Sequence, residues 1–113
     1  MELIKRDAAE FYQGDEYSGI DYLSRDKEIN FAVIKVSSRS PKSGFQLNTG
    51  CKELLYILSG DGTIYTKEGA ESRFYKGDVI VIEKNESYAF DGEFEAAVSC
   101  TPAWTSDQHK YVE

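Results

Sequence analysis

Turn-forming residues punctuate the second half of this chain at short intervals: Gly60-Asp61-Gly62, Glu68-Gly69, Lys76-Gly77-Asp78, Lys84-Asn85 and Asp91-Gly92. Glycine and, at some cost, asparagine adopt the positive φ that tight turns require. The segments left between them are too short for ordinary helices. They are "ELLYILS", "TIYTK", "ESRFY", "VIVIE", "SYAF" and "FEAAVSCT", rich in the branched and aromatic side chains that suit a pleated surface. Short strands recurring every 8 to 12 residues or so are the signature of an antiparallel sandwich or barrel. Gly60-Asp61-Gly62 is read as a hairpin turn, and Asp91-Gly92 as another.

The first half supplies fewer elements. Asp7 followed by Glu10, with Gly14 beyond, predicts a helix of about two turns. "SGIDYLS" (18–24) and "INFAVIKVS" (29–37) read as strands, separated by a charged turn at Arg25-Asp26-Lys27. A polar loop with Pro41 and Gly44 follows. Eight or nine strands and one short N-terminal helix result, with no repeat, linker or low-complexity stretch. "ELLYILS" and "DVIVI" are apolar on both faces, so each face needs a cover: other strands inside, and strands or a partner chain outside. The expectation is an all-β jelly roll that forms a homodimer.

A chain of 113 residues forms one domain with a single core. Its formal net charge of −7, with thirteen scattered Lys and Arg, argues against a nucleic-acid partner, whose phosphates are bound by clustered basic residues. No apolar run approaches the roughly 20 residues that span a bilayer, and charges follow Met1 where a signal peptide would be apolar. No membrane association and a cytoplasmic location are therefore expected. Cys51 and Cys100 lack metal or redox spacing and read as two buried structural thiols.

One residue does not fit a purely structural reading. Glu53 stands at the threshold of an apolar strand, where an unpartnered carboxylate is costly to bury. Six residues separate it from Gly60, and a "GDVIVI" strand and turn follow further on. This order of landmarks resembles the cupin superfamily over about residues 30–101, leaving an N-terminal segment, 1–29, and a C-terminal tail, 102–113. The resemblance implies a double-stranded β-helix, the jelly-roll cupin barrel. The family's first motif runs His-x-His, three or four residues, Glu, six residues, Gly. Here Gln46 and Asn48 take the histidine positions, while Glu53 and Gly60 match. In the second motif Gly77 matches, Glu83 replaces a proline, Asn85 a glycine, Tyr88 the last histidine and Gly92 the final Asn.

The metal ligands of the resemblance are thus replaced by two amides and a phenol. Imidazole-rich sets suit transition metals, and four oxygen donors with one charge do not satisfy calcium. No metal and no other cofactor are expected. The register of the resemblance instead places Glu53 in the barrel with Gln46, Asn48 and Tyr88, and Cys51 on the same strand parity. Glu53 then anchors a ligand or acts as general base with Tyr88 as acid; the alternative is a remnant of a lost metal site. Phe90 and Trp104 are further ligand-binding candidates, Trp104 as a cover for the barrel mouth. His109 reads as an exposed tail residue. Three functions remain open: a metal-independent isomerase or epimerase of a sugar or other polyol derivative, a non-catalytic small-molecule binder, and a metal-dependent oxygenase, the last disfavoured by the ligand set.

Overall fold

The computed structural model describes residues 1–113, all but two short 3₁₀ turns of its regular structure being strand. In chain order the strands are β1 (Glu10–Gln13), β2 (Tyr17–Tyr22), β3 (Asn30–Val36), β4 (Phe45–Asn48), β5 (Lys52–Thr66), β6 (Glu71–Tyr75), β7 (Val79–Ile82), β8 (Tyr88–Thr101) and β9 (His109–Val112). They form one nine-stranded antiparallel sheet that curls into a jelly roll. β5 and β8 lie at its centre, paired from Lys52↔Thr101 to Thr66↔Tyr88. One half of this ladder is flanked by β7 and by β3, β2 and β1; the other half by β6 and, through Gln46↔Tyr88, by β4 and β9.

The two expected hairpins at Gly60-Asp61-Gly62 and Asp91-Gly92 are bends within these long strands. Gly60 has φ of 80° and Gly92 of 134°, values that L side chains rarely adopt. A positive φ turns a strand as readily as it reverses one, and here Gly62 pairs with Gly92, so the ladder continues through both bends. The bend is also crowded: a Cβ on Gly60 would lie 2.1 Å from the carbonyl oxygen of Glu93. A register shift between Ile57 and Ser59 adds a bulge just before it. The reversals expected at Gly69, Gly77 and Asn85 do occur, each residue having positive φ.

Alternation along the strands fixes which side chains enter the barrel. In β5, Leu55 and Ile57 point inward and are buried, as are Ala96 and Val98 of β8. Phe74 of β6 meets Phe90 and Phe94 of β8 edge-on, with ring centroids 6.3 and 4.8 Å apart, and plugs one end of the barrel. The opposite parity faces outward: Phe31, Leu54, Tyr56, Val79 and Val81 remain 43–54% exposed.

Both chain ends depart from expectation. The N-terminal helix is a single 3₁₀ turn, Arg6–Ala8, after which the chain enters β1 to bury Tyr12 against Tyr17. The C-terminal tail is structural too, with β9 paired to β4. No helix is long and apolar enough to cross a membrane.

Gly60→Ala should fold less stably than the parent by about 1–3 kcal/mol or more, since strained φ and steric overlap add. Urea denaturation checks this; a variant of parental stability would show that the bend does not depend on glycine.

Candidate functional site

Four elements meet around Glu53. It enters from the first inward position of β5, paired with Cys100 of β8 on one side and Ile82 of β7 on the other. β4 delivers Asn48, 3% exposed, whose amide NH₂ donates to Glu53 Oε1. Tyr88 opens β8 and donates its hydroxyl to the same oxygen at 3.2 Å. The contact is made across the barrel, because Tyr88 and Glu53 begin strands that pair head to tail.

The C-terminal segment completes the wall. Trp104 Nε1 donates to Asn48 Oδ1 at 2.9 Å. His109 lies between the amides of β4, its Nδ1 2.9 Å from Asn48 Oδ1 and its Nε2 3.1 Å from Gln46 Oε1. Pairing of Asn48 with His109 and of Gln46 with Tyr111 across β4 and β9 sets this arrangement. On the far side Tyr17 and Tyr12 share a hydrogen bond of 2.7 Å between their hydroxyls.

Between these groups lies a cavity of about 370 Å³. Of the candidate site residues, Glu53, Tyr88, Gln46, Phe90 and Trp104 line it, while Asn48 does not and is linked to it by its hydrogen bond to Glu53. Cys51 does not line it, contrary to the parity reading. It lies in the turn before β5, is buried, and turns its thiol toward Cys100. Cys100 faces the cavity in its place. His109 is a wall residue and no exposed tail, because β9 adds to the sheet edge beside β4. Sequence reading missed His109, Cys100, Tyr12, Tyr17 and Asp21.

Burial dominates the electrostatics. It raises the Glu53 pKa above the ordinary carboxylate value, while hydrogen bonds from Tyr88, Asn48 and Cys100 partly oppose it. Burial and the neighbouring Glu53 raise Tyr88 well above an ordinary phenol. Tyr12 is pushed up to about 12, again by burial, and Cys51 to about 11. Asp21 is raised by burial and by Glu10. Lysine and arginine are absent from the cavity wall, whereas Glu16, Asp21 and Glu53 are in it.

This geometry can be set beside known proteins. A model of the EutQ-like cupin domain matches residues 34–110, about two thirds of the chain. The chain belongs to the EutQ-like cupin family. No curated protein sequence matches it. Among solved structures, Streptomyces Pac13, a nucleoside dehydratase, superposes with a TM-score of 0.87 at 16% identity, covering 100% of this chain and 92% of that one. Ectoine synthase from P. lautus gives 0.76 at 10% identity, over 100% and 91% of the two chains. KdgF from Halomonas sp. gives 0.72 at 11% identity, over 94% and 98%.

Many cupins carry a metal, and the residues here do not fit one. Asn48 Oδ1 is engaged by Trp104 and His109, Gln46 Oε1 by His109, and Glu53 Oε1 by Asn48 and Tyr88. No three side chains of the His, Cys, Asp and Glu types converge on a common point. The arrangement is a closed hydrogen-bond network around one carboxylate, suited to holding or moving a proton.

The raised pKa gives a sign that can be tested. The native state keeps the Glu53 proton to higher pH than the unfolded chain, so the contribution to stability is complete below the unfolded pKa and is lost as pH rises through the folded one. Glu53→Gln removes that loss. Its melting temperature should equal or exceed the parent's at pH 8, with a smaller advantage at pH 5. A variant less stable than the parent at pH 8 would mean that the charged form is the one the site stabilises.

Proposed function

We propose that this cupin works without a metal, takes a small uncharged hydroxyl-rich molecule into its barrel and moves a proton on it, with Glu53 as general base. The single observation behind this reading is Glu53 itself: largely buried at the cavity wall, with raised proton affinity, and with the Asn48 and Tyr88 donors both on Oε1. Oε2 is the oxygen that takes the proton. A carboxylate tuned upward by burial approaches the proton affinity that general acid–base catalysis near neutral pH requires.

The wall supports the ligand class. Three carboxylates and no Lys or Arg disfavour phosphorylated or carboxylated ligands, while Trp104, Tyr17 and Tyr88 offer faces and edges for a flat or puckered ring. Amides and hydroxyls supply hydrogen bonds to a polyol. The dehydratase to which the fold is similar has been solved with uridine, a neutral ligand joining a ring to a polyol. The reaction class is isomerisation or epimerisation of a sugar-like carbonyl compound. Glu53 removes a proton from the hydroxyl-bearing carbon beside the carbonyl, and the electron pair delocalises onto the carbonyl oxygen. The proton on Glu53 exchanges with solvent, and a proton is then returned by Glu53 to the former carbonyl carbon, as the hydroxyl proton passes to the enolate oxygen (isomerisation), or by water to the opposite face of the same carbon (epimerisation). Tyr88 acts as an orienting donor to Glu53, because a phenol raised so far above its ordinary pKa is a weak acid at neutral pH.

A thermal-shift screen of neutral sugars and nucleosides against their phosphates identifies the ligand. In deuterium oxide the wild-type protein should then exchange a carbon-bound hydrogen of that ligand, and Glu53→Gln should slow this by about 10²–10⁴-fold, the usual worth of a general base. Selective binding without exchange would leave a non-catalytic binder. Binding and exchange undiminished in Glu53→Gln would remove Glu53 from the reaction.

The assembly belongs to the same reading. The outward rows of β7, β5, β8 and β3 run Val81, Leu54, Ser99, Phe31 and Val79, Tyr56, Ala97, Val33, a largely apolar surface. A second copy of the chain covers it about a two-fold axis. Light scattering should give about twice the 12.8 kDa chain mass, and Tyr56→Glu should halve it. A monomeric parent overturns this.

A further inference from the structure

His109 presents both ring nitrogens to amide oxygens. Nδ1 meets Asn48 Oδ1 at 2.9 Å and Nε2 meets Gln46 Oε1 at 3.1 Å. A neutral imidazole carries one N–H and one lone pair, so it satisfies only one of these contacts unless an amide turns over. Both amides are held against turning. Asn48 Oδ1 also accepts from Trp104 Nε1, which can only donate, while its NH₂ donates to Glu53. Gln46 Nε2 faces the backbone oxygen of Ser40 at 3.4 Å, and turning it would set two oxygens against each other.

The geometry points to His109 as a buried imidazolium that donates to Asn48 and Gln46 together, a positioning residue that holds the Asn48 amide onto Glu53 and sets a positive charge against the cavity. Gln46 and Asn48 stand where the family resemblance places metal-binding histidines. A cation supplied by the chain itself is therefore held against those two positions. The charge state follows from hydrogen-bond chemistry alone; the service to proton transfer rests on the function proposed above.

The surroundings favour the cation. β4 offers only neutral amides, β5 brings Glu53, and β8 brings Tyr88 and Cys100. The segment around β1 and β2 brings Tyr12, Tyr17, Glu16 and Asp21, and β9 itself brings Tyr111. Every charged member of that set is acidic. Burial alone pushes the imidazole pKa down. Two fixed acceptors favour the charged form, because one of the two hydrogen bonds would be lost on deprotonation.

His109 is the sole histidine, so one imidazole gives the whole signal. The full chain, labelled with ¹⁵N-histidine and free of ligand, is titrated from pH 5 to 9 by long-range ¹H–¹⁵N correlation. Both ring nitrogens should carry protons at pH 7, with a midpoint above the unperturbed value of about 6.5. Gln46→Leu removes one acceptor and Trp104→Phe frees Asn48 to turn, so each should lower the midpoint while the strand signature in circular dichroism persists. A lone pair on either nitrogen at pH 6, or a midpoint unmoved in both variants, overturns the assignment. Because no ligand is needed, failure of the ligand screen does not touch this result. Where the screen succeeds, deuterium exchange should fall above the His109 midpoint, and His109→Gln should lose that limb of the pH profile. A profile with no limb there would leave His109 a cation without a part in the reaction.

Discussion

Strands β5 and β8 pair along nearly their whole lengths, and this ladder has to pass from one half of the barrel to the other without breaking. It does so where Gly62 stands opposite Gly92, with Gly60 and the Ile57–Ser59 register shift alongside. Side chains at that crossing would strike the partner backbone, so the curvature of the sheet depends on hydrogen atoms at these positions. Curvature in turn makes the site. Glu53 and Tyr88 lie at opposite ends of the ladder, one opposite Cys100 and the other opposite Thr66, yet their side chains meet at 3.2 Å. Only closure of the barrel brings them together.

The interior this creates is divided. The Phe74–Phe90–Phe94 cluster fills one end and needs nothing but packing. The other end buries polar groups, and each must find a partner or cost stability. Asn48 is the hub: its NH₂ serves Glu53, and its oxygen receives Trp104 and His109. Desolvation still outweighs the donors at Glu53, which leaves the carboxylate with a high proton affinity and ready to give up part of its network to a ligand.

Much of this is legible in the sequence. Alternation of Leu55 and Ile57 with Leu54 and Tyr56 reports the inner and outer faces, and the turn residues at Gly69, Gly77 and Asn85 mark real reversals. Glycine specifies permitted φ rather than direction, which is why Gly60 and Gly92 resemble hairpins in sequence and are bends in space. Glu53 stood out because a lone carboxylate beside an apolar run has few structural explanations. Cys51 was misassigned because parity holds only within a strand, and β5 begins one residue later. His109 was beyond reach for a different reason. Its place depends on β9 pairing with β4 some sixty residues earlier in the chain, and a four-residue strand ending a chain has almost no local signature.

The polar end of the barrel therefore rests on its thinnest part. β9 pairs only with β4, and β4 joins the central ladder through the single pair Gln46↔Tyr88. A few additional bonds hold the C-terminal segment: Thr49 N–H to the Gln108 carbonyl, Ala103 N–H to that of Lys27, and Asn30 to that of Trp104. Regions with so few partners open at lower free energy than the core ladder does. Opening here would withdraw Trp104 and His109 from Asn48, and with them the constraint that keeps the Asn48 amide on Glu53. The amide donor of the carboxylate is thus held in place through β9 and the segment before it, whereas the β5–β8 ladder that shapes the barrel does not depend on them.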